Sequence, residues 1–345
     1  MAESADGAGW HLVDETSRLE TRAMRPILIA LTLAIAGTAH AAAPNWKTCA
    51  AIEQEHERLA CYDKLTGHRY IQRSALTRAW DLDGLGNPDS AGVRRLEPYR
   101  ANRLMVHHTS RINAQPASPS HPASTPSPYQ PNELKFQFSA KSEIGNFREL
   151  DLLGFQNFRL WAGFTQQSYW QLFNGSQSSP FRETNYEPEL IGTFGTGHGD
   201  GWRLLNIGLS HQSNGRGDYL SRSWNRIYAQ GGWEYGDYYL LARGWWRFPE
   251  SAANDDNSDI QQYLGRAELE AHWSPDSDDE VTLLARSNLS FGQPRGYLQL
   301  DWSTPVRFWH LSHLSLQLAT GYGQNLIDYN HNQTSFAFGL TFKDW

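Results

Sequence analysis

His211, Ser213 and Asn225 are three side chains whose types and spacing could carry out nucleophilic catalysis. They occur in residues 205–228, a stretch that reads as two β-strands joined by a short polar loop. Because strand side chains alternate between two faces, His211 and Ser213 share the face of the apolar residues before them, and Asn225 shares the face of Ile227. A hydroxyl, an imidazole and an amide correspond to a nucleophile, a general base and a group that orients the base.

The register of this hairpin decides whether the three side chains meet. If the hairpin is symmetric about Asp218, His211 lies opposite Asn225. Directly opposed Cβ atoms are about 5 Å apart and next neighbours on one face roughly 7 Å apart, so the three groups could share one surface. A bulge would break this register, and the alternative is a polar hairpin end without chemistry.

Composition narrows the class of protein that carries this hairpin. The chain has 345 residues, a net charge of −7 and 13% aromatic residues, and its mean hydropathy of −0.60 excludes a helical membrane bundle. Many aromatic residues in a hydrophilic chain are typical of a transmembrane β-barrel, with Trp and Tyr at both membrane interfaces. A secreted carbohydrate-binding β protein fits as well. No basic patch predicts nucleic-acid binding.

The N-terminal part predicts export. Residues 24–41 combine a positive charge, a short apolar run and a small-residue cleavage site, which is typical of a signal peptide. We expect translation to start at Met24, so that residues 1–23 are an extension outside the natural protein. Residues 42–97 are then an N-terminal periplasmic segment, in which Cys49 and Cys61 most simply form one disulfide.

Residues 98–345 alternate between apolar and polar positions in twelve segments, which predicts an all-β fold: a twelve-stranded antiparallel transmembrane barrel. The predicted strands lie near 102–110, 134–141, 155–172, 184–197, 202–213, 223–233, 236–248, 260–273, 280–290, 294–302, 312–322 and 334–343. The charged faces would fill a polar interior and the apolar faces would contact lipid. A Pro/Ser-rich stretch at 114–132 is predicted to be flexible.

The hairpin resembles the outer-membrane phospholipase A family of Gram-negative bacteria. The motifs are HQSNGR at 211–216, SRSWNR at 221–226 and SSPFRETNYEP at 178–188, and the resemblance runs from about Pro98 to the C-terminus. It implies a calcium-dependent phospholipase A1/A2 that hydrolyses the sn-1 and sn-2 esters of phospholipids and lysophospholipids. His211 would be its general base, Ser213 its nucleophile and Asn225 the group that orients the histidine.

The same resemblance implies a homodimer in the bacterial outer membrane, with the active site toward the outer leaflet. Ca²⁺ would be bound across the dimer by Ser178 of one subunit and by the Arg216 carbonyl and Ser221 hydroxyl of the other. Gln166 would hydrogen-bond across the dimer interface. The sequence differs from the common family pattern at Gly217 and Tyr219, between the predicted calcium ligands.

Two alternatives remain open. One is a catalytically silent structural or pore-forming outer-membrane barrel, and the other is the secreted sugar-binding protein. The absence of a G-x-S-x-G motif disfavours an α/β-hydrolase. Acidic residues at 255, 256 and 259 could indicate a second calcium loop, but without regular ligand spacing we interpret them as a solvated loop.

Overall fold

The computed structural model describes residues 45–66, 73–83, 96–123, 125–147, 154–275, 279–306 and 312–342. The predicted signal peptide, the extension before Met24 and residues 343–345 lie outside the described residues. Among the described residues, no helix is long and apolar enough to cross a membrane. The chain divides into two compact units, Met1–Ile71 and Gln72–Trp345.

The first unit contains two short helices joined by a disulfide. Helix α1 (Trp46–Ala50) begins with a capping box, in which the Asn45 side chain accepts hydrogen bonds from Lys47 N and Thr48 N. Helix α2 spans Glu55–Thr66. The predicted bond between Cys49 and Cys61 is confirmed, and it ties the two helices together.

The second unit is a closed antiparallel barrel. Its strands are β1 (Leu96–Pro98), β2 (Asn102–Thr109), β3 (Asn132–Phe147), β4 (Gln156–Trp170), β5 (Phe181–Gly195), β6 (Gly201–Ser213), β7 (Ser223–Tyr235), β8 (Tyr238–Arg247), β9 (Ala267–Trp273), β10 (Glu280–Ser287), β11 (Gly296–Pro305), β12 (Ser312–Gly321) and β13 (Gln333–Phe342). Strand β13 pairs with β2, which closes the wall. Because β1 pairs with β3 beyond the start of β2, it extends that strand. The prediction of twelve barrel strands is confirmed.

One predicted strand boundary is wrong. Residues 260–273 were predicted to be a single strand, but Ile260–Tyr263 form helix α4 and β9 begins at Ala267. Ile260 is fully buried in an apolar cluster under the loops. Tertiary packing of this apolar side chain therefore outweighs the alternating pattern at the strand end.

The predicted alternation of polar and apolar faces is confirmed along the wall. In β6, Ile207 and Leu209 are 45% and 46% exposed on the outer surface, whereas Asn206 and Ser210 are buried inside. The interior carries ion pairs such as Arg226–Glu187 at 2.6 Å. Pairing of opposite charges lowers the cost of burying them inside the barrel.

The barrel interior is filled at both ends by apolar side chains. Helix α3 (Ala75–Trp80) lies inside the end with the short turns, where Leu76 and Trp80 pack in one cluster with wall residues including Trp161 and Leu204. A second cluster lies under the long loops and contains Trp224, Ile260, Leu264, Leu326 and Tyr329. The residues from Gln72 onward thus belong to the barrel unit, although the sequence analysis grouped residues 42–97 as one segment.

The long loops contact one another at one end of the barrel. The Pro/Ser-rich stretch was predicted to be flexible, but Ser118 donates a hydrogen bond to the Asp256 carbonyl and His121 contacts the Asp256 carboxylate at 2.9 Å. Asn330 also donates to the Ala117 carbonyl at 3.0 Å. The stretch therefore packs against the loop that precedes β9 and contributes to a common loop layer.

Candidate active site

The histidine and asparagine of the hairpin form a direct pair. His211 on β6 is the cross-strand partner of Asn225 on β7, so the register predicted from hairpin symmetry is confirmed. His211 Nδ1 and Asn225 Oδ1 are 2.8 Å apart. Because an amide oxygen can only accept, this bond places the proton on Nδ1 and leaves Nε2 as an acceptor.

Glu250, which was not predicted from the sequence, orients the side chain of Asn225. Asn225 Nδ2 donates to Glu250 Oε1 at 3.1 Å. A carboxylate only accepts, so this bond determines which end of the amide faces His211. Glu250 follows β8 in a loop 25 residues from Asn225, and no local sequence pattern connects the two residues.

Ser213 is the last residue of β6. It pairs with Ser223 on β7 and with Tyr186 on β5, and it lies two residues beyond His211 on the same face. The inward-facing neighbours anchor this strand end, because Trp224 is fully buried and its Nε1 donates to Gln212 Oε1 at 2.8 Å. The serine therefore lies at the outer rim of the apolar wall, beside the loop that follows.

The loop between β6 and β7 is organised by Asn214, which is only 4% exposed. Its side-chain oxygen accepts hydrogen bonds from the backbone N–H groups of Arg222 at 3.0 Å and Arg216 at 3.3 Å. Its Nδ2 donates to the Leu220 carbonyl at 2.8 Å. The next residue, Gly215, has a φ of +62°, which favours glycine. An Asn-Gly pair is a turn signal, and it is the one sequence feature that points to this role.

Two of the predicted calcium ligands lie in this loop. The Arg216 guanidinium donates to the Phe181 carbonyl at 2.9 Å and holds the loop against β5. Ser221 Oγ donates to Asp256 Oδ2 at 2.5 Å. The third predicted ligand, Ser178, lies in the separate β4–β5 loop with a φ of 58°.

The acidic loop is packed against the hairpin, so its interpretation as a solvated loop is wrong for Asp255 and Asp256. Asp255 is 9% exposed and pairs with Arg247 at 2.6 Å. Asp256 accepts from Ser221 and lies 2.9 Å from His121 Nε2. Burial alone would raise the pKa of Asp256, but the hydrogen bonds from Ser221 and His121 outweigh it and lower this pKa below its usual value.

Ca²⁺ binds oxygen ligands, and the loop between β6 and β7 provides such ligands where it meets Asp256. A serine hydroxyl and a carboxylate lie within hydrogen-bond distance of each other at Ser221 and Asp256. Hard cations bind such ligands together with backbone carbonyls and water. No cluster of three or more His, Cys, Asp or Glu side chains suited to a metal occurs among the described residues, so a cation here would rely on hydroxyl, carbonyl and water ligands as well.

Gln166 lies on the outer face of β4, opposite Tyr186 of β5, which in turn lies opposite Ser213. Gln166 Nε2 donates to Ser168 Oγ at 3.3 Å, and Ser168 contacts Thr184 Oγ1 at 3.1 Å. These three residues form a polar patch near Phe164, which is 38% exposed. Polar groups on a lipid-facing surface are stabilised when a second surface covers them.

Comparison with known proteins identifies the family. The family model described as phospholipase A1 matches residues 76–342. The phospholipase A1 of Salmonella typhimurium is 36% identical over 254 residues, which is 72% of this chain and 82% of the relative.

Two solved structures agree with this result. The outer membrane phospholipase A from Escherichia coli has a TM-score of 0.61 and 33% sequence identity, and the match covers 76% of this chain and 95% of the other. A calcium-bound dimer of the Salmonella typhi outer membrane phospholipase has a TM-score of 0.62 and 33% identity, over 72% of this chain and 93% of the other. The chain therefore belongs to the phospholipase A1 family of outer-membrane β-barrel enzymes.

Proposed function

We propose that this outer-membrane phospholipase cleaves acyl esters with His211, Ser213 and Asn225. Ser213 Oγ attacks the ester carbonyl, and its proton passes to His211 Nε2, which returns it to the leaving alcohol. The acyl-serine is then hydrolysed by water with His211 again as the base. The observation that carries this proposal is the 2.8 Å contact between His211 Nδ1 and Asn225 Oδ1, because it leaves Nε2 free for the proton of Ser213.

An amide suits the third position of this triad for a local reason. Asn225 accepts from His211 and donates to Glu250. An aspartate in its place could not donate and would bring a second carboxylate close to Glu250. It would also expose a charge on a wall that faces lipid, at a cost of several kcal/mol. The amide orients the imidazole without either penalty.

The position of the triad supports phospholipids as substrates. Leu209 and Ile227 are 46% and 38% exposed below His211 on the same outer face, so an acyl chain in the membrane can lie against them. The ester group of a phospholipid lies at the level where the apolar wall gives way to polar loops. We infer that both the sn-1 and sn-2 esters, and those of lysophospholipids, are hydrolysed, with the site toward the outer leaflet.

Calcium is the proposed cofactor. Ser221 and the Arg216 carbonyl would hold it together with Ser178 of a second subunit, and Asp256 supplies a neighbouring carboxylate. When bound, Ca²⁺ supplies positive charge that stabilises the oxyanion formed on the ester. The Salmonella typhi relative is described as a dimer with bound calcium, which supports both the cofactor and a homodimer. The patch at Gln166 would then contact the partner subunit.

A passive pore is the less favoured function. The apolar cluster around helix α3 and the cluster under the loops lie at opposite ends of the barrel interior. Salt bridges such as Arg103–Asp301 at 2.6 Å occupy the space between them. A pore would need a continuous aqueous path, and these side chains obstruct it.

The test is fatty-acid release from phospholipid mixed micelles by the purified full-length protein, with Ca²⁺ and with chelator. Ser213→Ala and His211→Ala are each expected to lose about 10⁴-fold or more of the calcium-dependent rate. Ser290→Ala in the β10–β11 loop and His198→Ala at the short-turn end are matched controls that should keep it. Folded Ser213→Ala protein with wild-type calcium-dependent activity would rule out the proposed nucleophile.

A further inference from the structure

A second histidine–asparagine pair lies on the outer surface of the wall, on β2 and β3. His108 Nδ1 and Asn132 Oδ1 are 2.7 Å apart, and the two residues are direct cross-strand partners. His211 and Asn225 are related in the same way, at 2.8 Å. As at the first pair, the amide oxygen accepts from Nδ1 and leaves Nε2 of His108 as an acceptor.

A serine accompanies this pair at the same spacing as at the first. Ser110 follows His108 by two residues, as Ser213 follows His211. Both β2 and β6 run toward the long loops, so each serine lies about 7 Å beyond its histidine toward the loop end. The backbone N–H of Thr334 donates to Ser110 Oγ at 3.1 Å. Ser110 acts as an acceptor in that bond, so the bond does not use the proton of its hydroxyl.

The surroundings of the second set also match a lipid-facing site. Phe336 on β13 lies directly opposite His108, and Val106 precedes His108 by two residues on the same face. Each of these apolar side chains is 46% exposed, the same fraction as Leu209 below His211. An acyl chain could therefore lie below His108 as it would below His211.

We propose that His108, Ser110 and Asn132 form a second serine-hydrolase site, which accepts carboxylic esters of long-chain fatty acids. Ser110 Oγ forms a bond to the ester carbonyl carbon while its proton passes to His108 Nε2. The bond from that carbon to the alcohol oxygen breaks, and the proton leaves with the alcohol. Water then attacks the acyl-serine, gives its proton to His108 and restores the Ser110 hydroxyl as the fatty acid departs.

The second site differs from the first in its charge environment. Residues 110–131, which connect β2 to β3, contain no Asp or Glu. They contact the Asp256 carboxylate through the His121 imidazole, whereas the first hairpin contacts it through the Ser221 hydroxyl, an oxygen ligand of the kind that Ca²⁺ binds. We therefore expect the second site to act without calcium. Loss of one oxyanion-stabilising group lowers rates about 10²–10³-fold, and we expect the second site to be slower than the first by about this factor.

The experiment uses the full-length protein in detergent with a long-chain alkyl fluorophosphonate in the presence of chelator. An activated serine attacks the phosphorus and releases fluoride, so the labelled serine can be located by mass spectrometry. Trypsin separates the two sites cleanly, because Ser110 lies in the peptide 104–111 and Ser213 in the peptide 204–216. The proteins compared are the wild type, Ser213→Ala, the double variant Ser213→Ala/Ser110→Ala, and Ser213→Ala/His108→Ala.

We expect the Ser213→Ala protein to carry a fluorophosphonate adduct on peptide 104–111. The double variant Ser213→Ala/Ser110→Ala should lack this adduct. Replacement of His108 should slow this labelling at least about tenfold. The same pattern should appear in the hydrolysis of a palmitoyl p-nitrophenyl ester by Ser213→Ala. An unmodified peptide 104–111 in folded Ser213→Ala protein after prolonged treatment would overturn the proposal. Labelling of peptide 204–216 in the wild type, measured with Ca²⁺ in place of chelator, reports on Ser213 separately, so either site can fail without the other.

Discussion

The two histidine–asparagine pairs on this barrel have the same backbone geometry but different surroundings. In each, an outward-running strand carries the histidine and the serine, and the returning strand places an asparagine opposite the histidine. The first hairpin ends in a loop of nine residues that Asn214 ties together. The second ends in residues 110–131, a proline-rich connection that packs against other loops.

The difference between the two connecting loops separates the contribution of strand pairing from the contribution of the loops. Register alone brings a histidine and an asparagine within hydrogen-bond distance, because opposed side chains on one face are about 5 Å apart. Stabilising negative charge on a substrate needs groups with fixed positions outside the strand ladder. In the first hairpin, Asn214 and Asp256 hold Arg216 and Ser221, the two residues of this loop proposed to bind calcium. The loops, more than the strands, should therefore determine the rate at each site.

The largest expected effect comes from replacing the orienting amide. Asn225→Ala removes the acceptor that holds His211 in its tautomer, and loss of the corresponding group in serine proteases costs about 10⁴-fold. We expect calcium-dependent fatty-acid release to fall about 10²–10⁴-fold, and kcat to fall more than KM rises. Asn146→Ala, an exposed amide at the short-turn end, is the matched control. Equal activities of the two variants would mean that the contact with His211 is not catalytic.

The next effect concerns the carboxylate of Asp256, which accepts from the Ser221 hydroxyl of the first hairpin. Asp256→Asn weakens the bond from Ser221 Oγ, so we expect about tenfold more Ca²⁺ to be needed for half-maximal activity. Asp237→Asn in the short β7–β8 turn is the control. A calcium requirement that is identical in wild type and Asp256→Asn would separate Asp256 from the metal site.

The same carboxylate gives a pH dependence with a defined sign. Although burial alone would raise the pKa of Asp256, hydrogen bonds from Ser221 and His121 lower it below its usual value of 3.8. A lowered pKa stabilises the folded protein above the unfolded-state pKa, and this contribution is lost as the pH falls through the folded-state pKa. The difference in unfolding midpoint between wild type and Asp256→Asn should therefore be present at about pH 5–7, and it should be lost as the pH falls below 3.8 through the lower folded-state pKa of Asp256.

A smaller effect is expected from the residue that organises the first loop. Asn214→Ala leaves the Arg222 N–H and the Leu220 carbonyl without their side-chain partner in a buried position. We expect a loss of about 1–3 kcal/mol in the free energy of unfolding, together with weaker calcium activation. Thermal unfolding with and without Ca²⁺ measures both, again with Asn146→Ala as the control. Unchanged calcium activation in a destabilised variant would confine Asn214 to a role in folding.

Strand alternation and turn signals were sufficient to predict the number of barrel strands and the pairing of His211 with Asn225. Both follow from local periodicity, since a one-residue slip would move every apolar side chain to the wrong face. Glu250 and Asp256 could not be found in this way. They reach the site from a different loop, 25 and 35 residues from their partners, and such contacts leave no periodic pattern in the sequence.

The interior was predicted less well for a similar reason. The sequence of Ala75–Trp80 predicts no position inside a barrel, yet Leu76 and Trp80 are 2% and 5% exposed there. Ile260 is buried under the loops in a helical turn where the alternation predicted a strand. In both places burial of large apolar side chains against residues distant in sequence decides the local structure.

The smallest expected effect tests how firmly the asparagine of the first pair is held. Glu250→Ala removes the acceptor for Asn225 Nδ2, whereas Glu250→Gln retains a carbonyl oxygen at that position. One hydrogen bond is worth about 1 kcal/mol, so Glu250→Ala should lower kcat about threefold to fivefold, and Glu250→Gln should stay close to wild type. Initial rates at saturating Ca²⁺ and substrate measure this difference. If the Glu250→Ala enzyme has the same kcat as the wild type, the contact with His211 is sufficient to orient Asn225. Asn225 and Asn132 would then each be oriented by the histidine opposite them. The contrast between the two sites would then depend on the calcium loop alone.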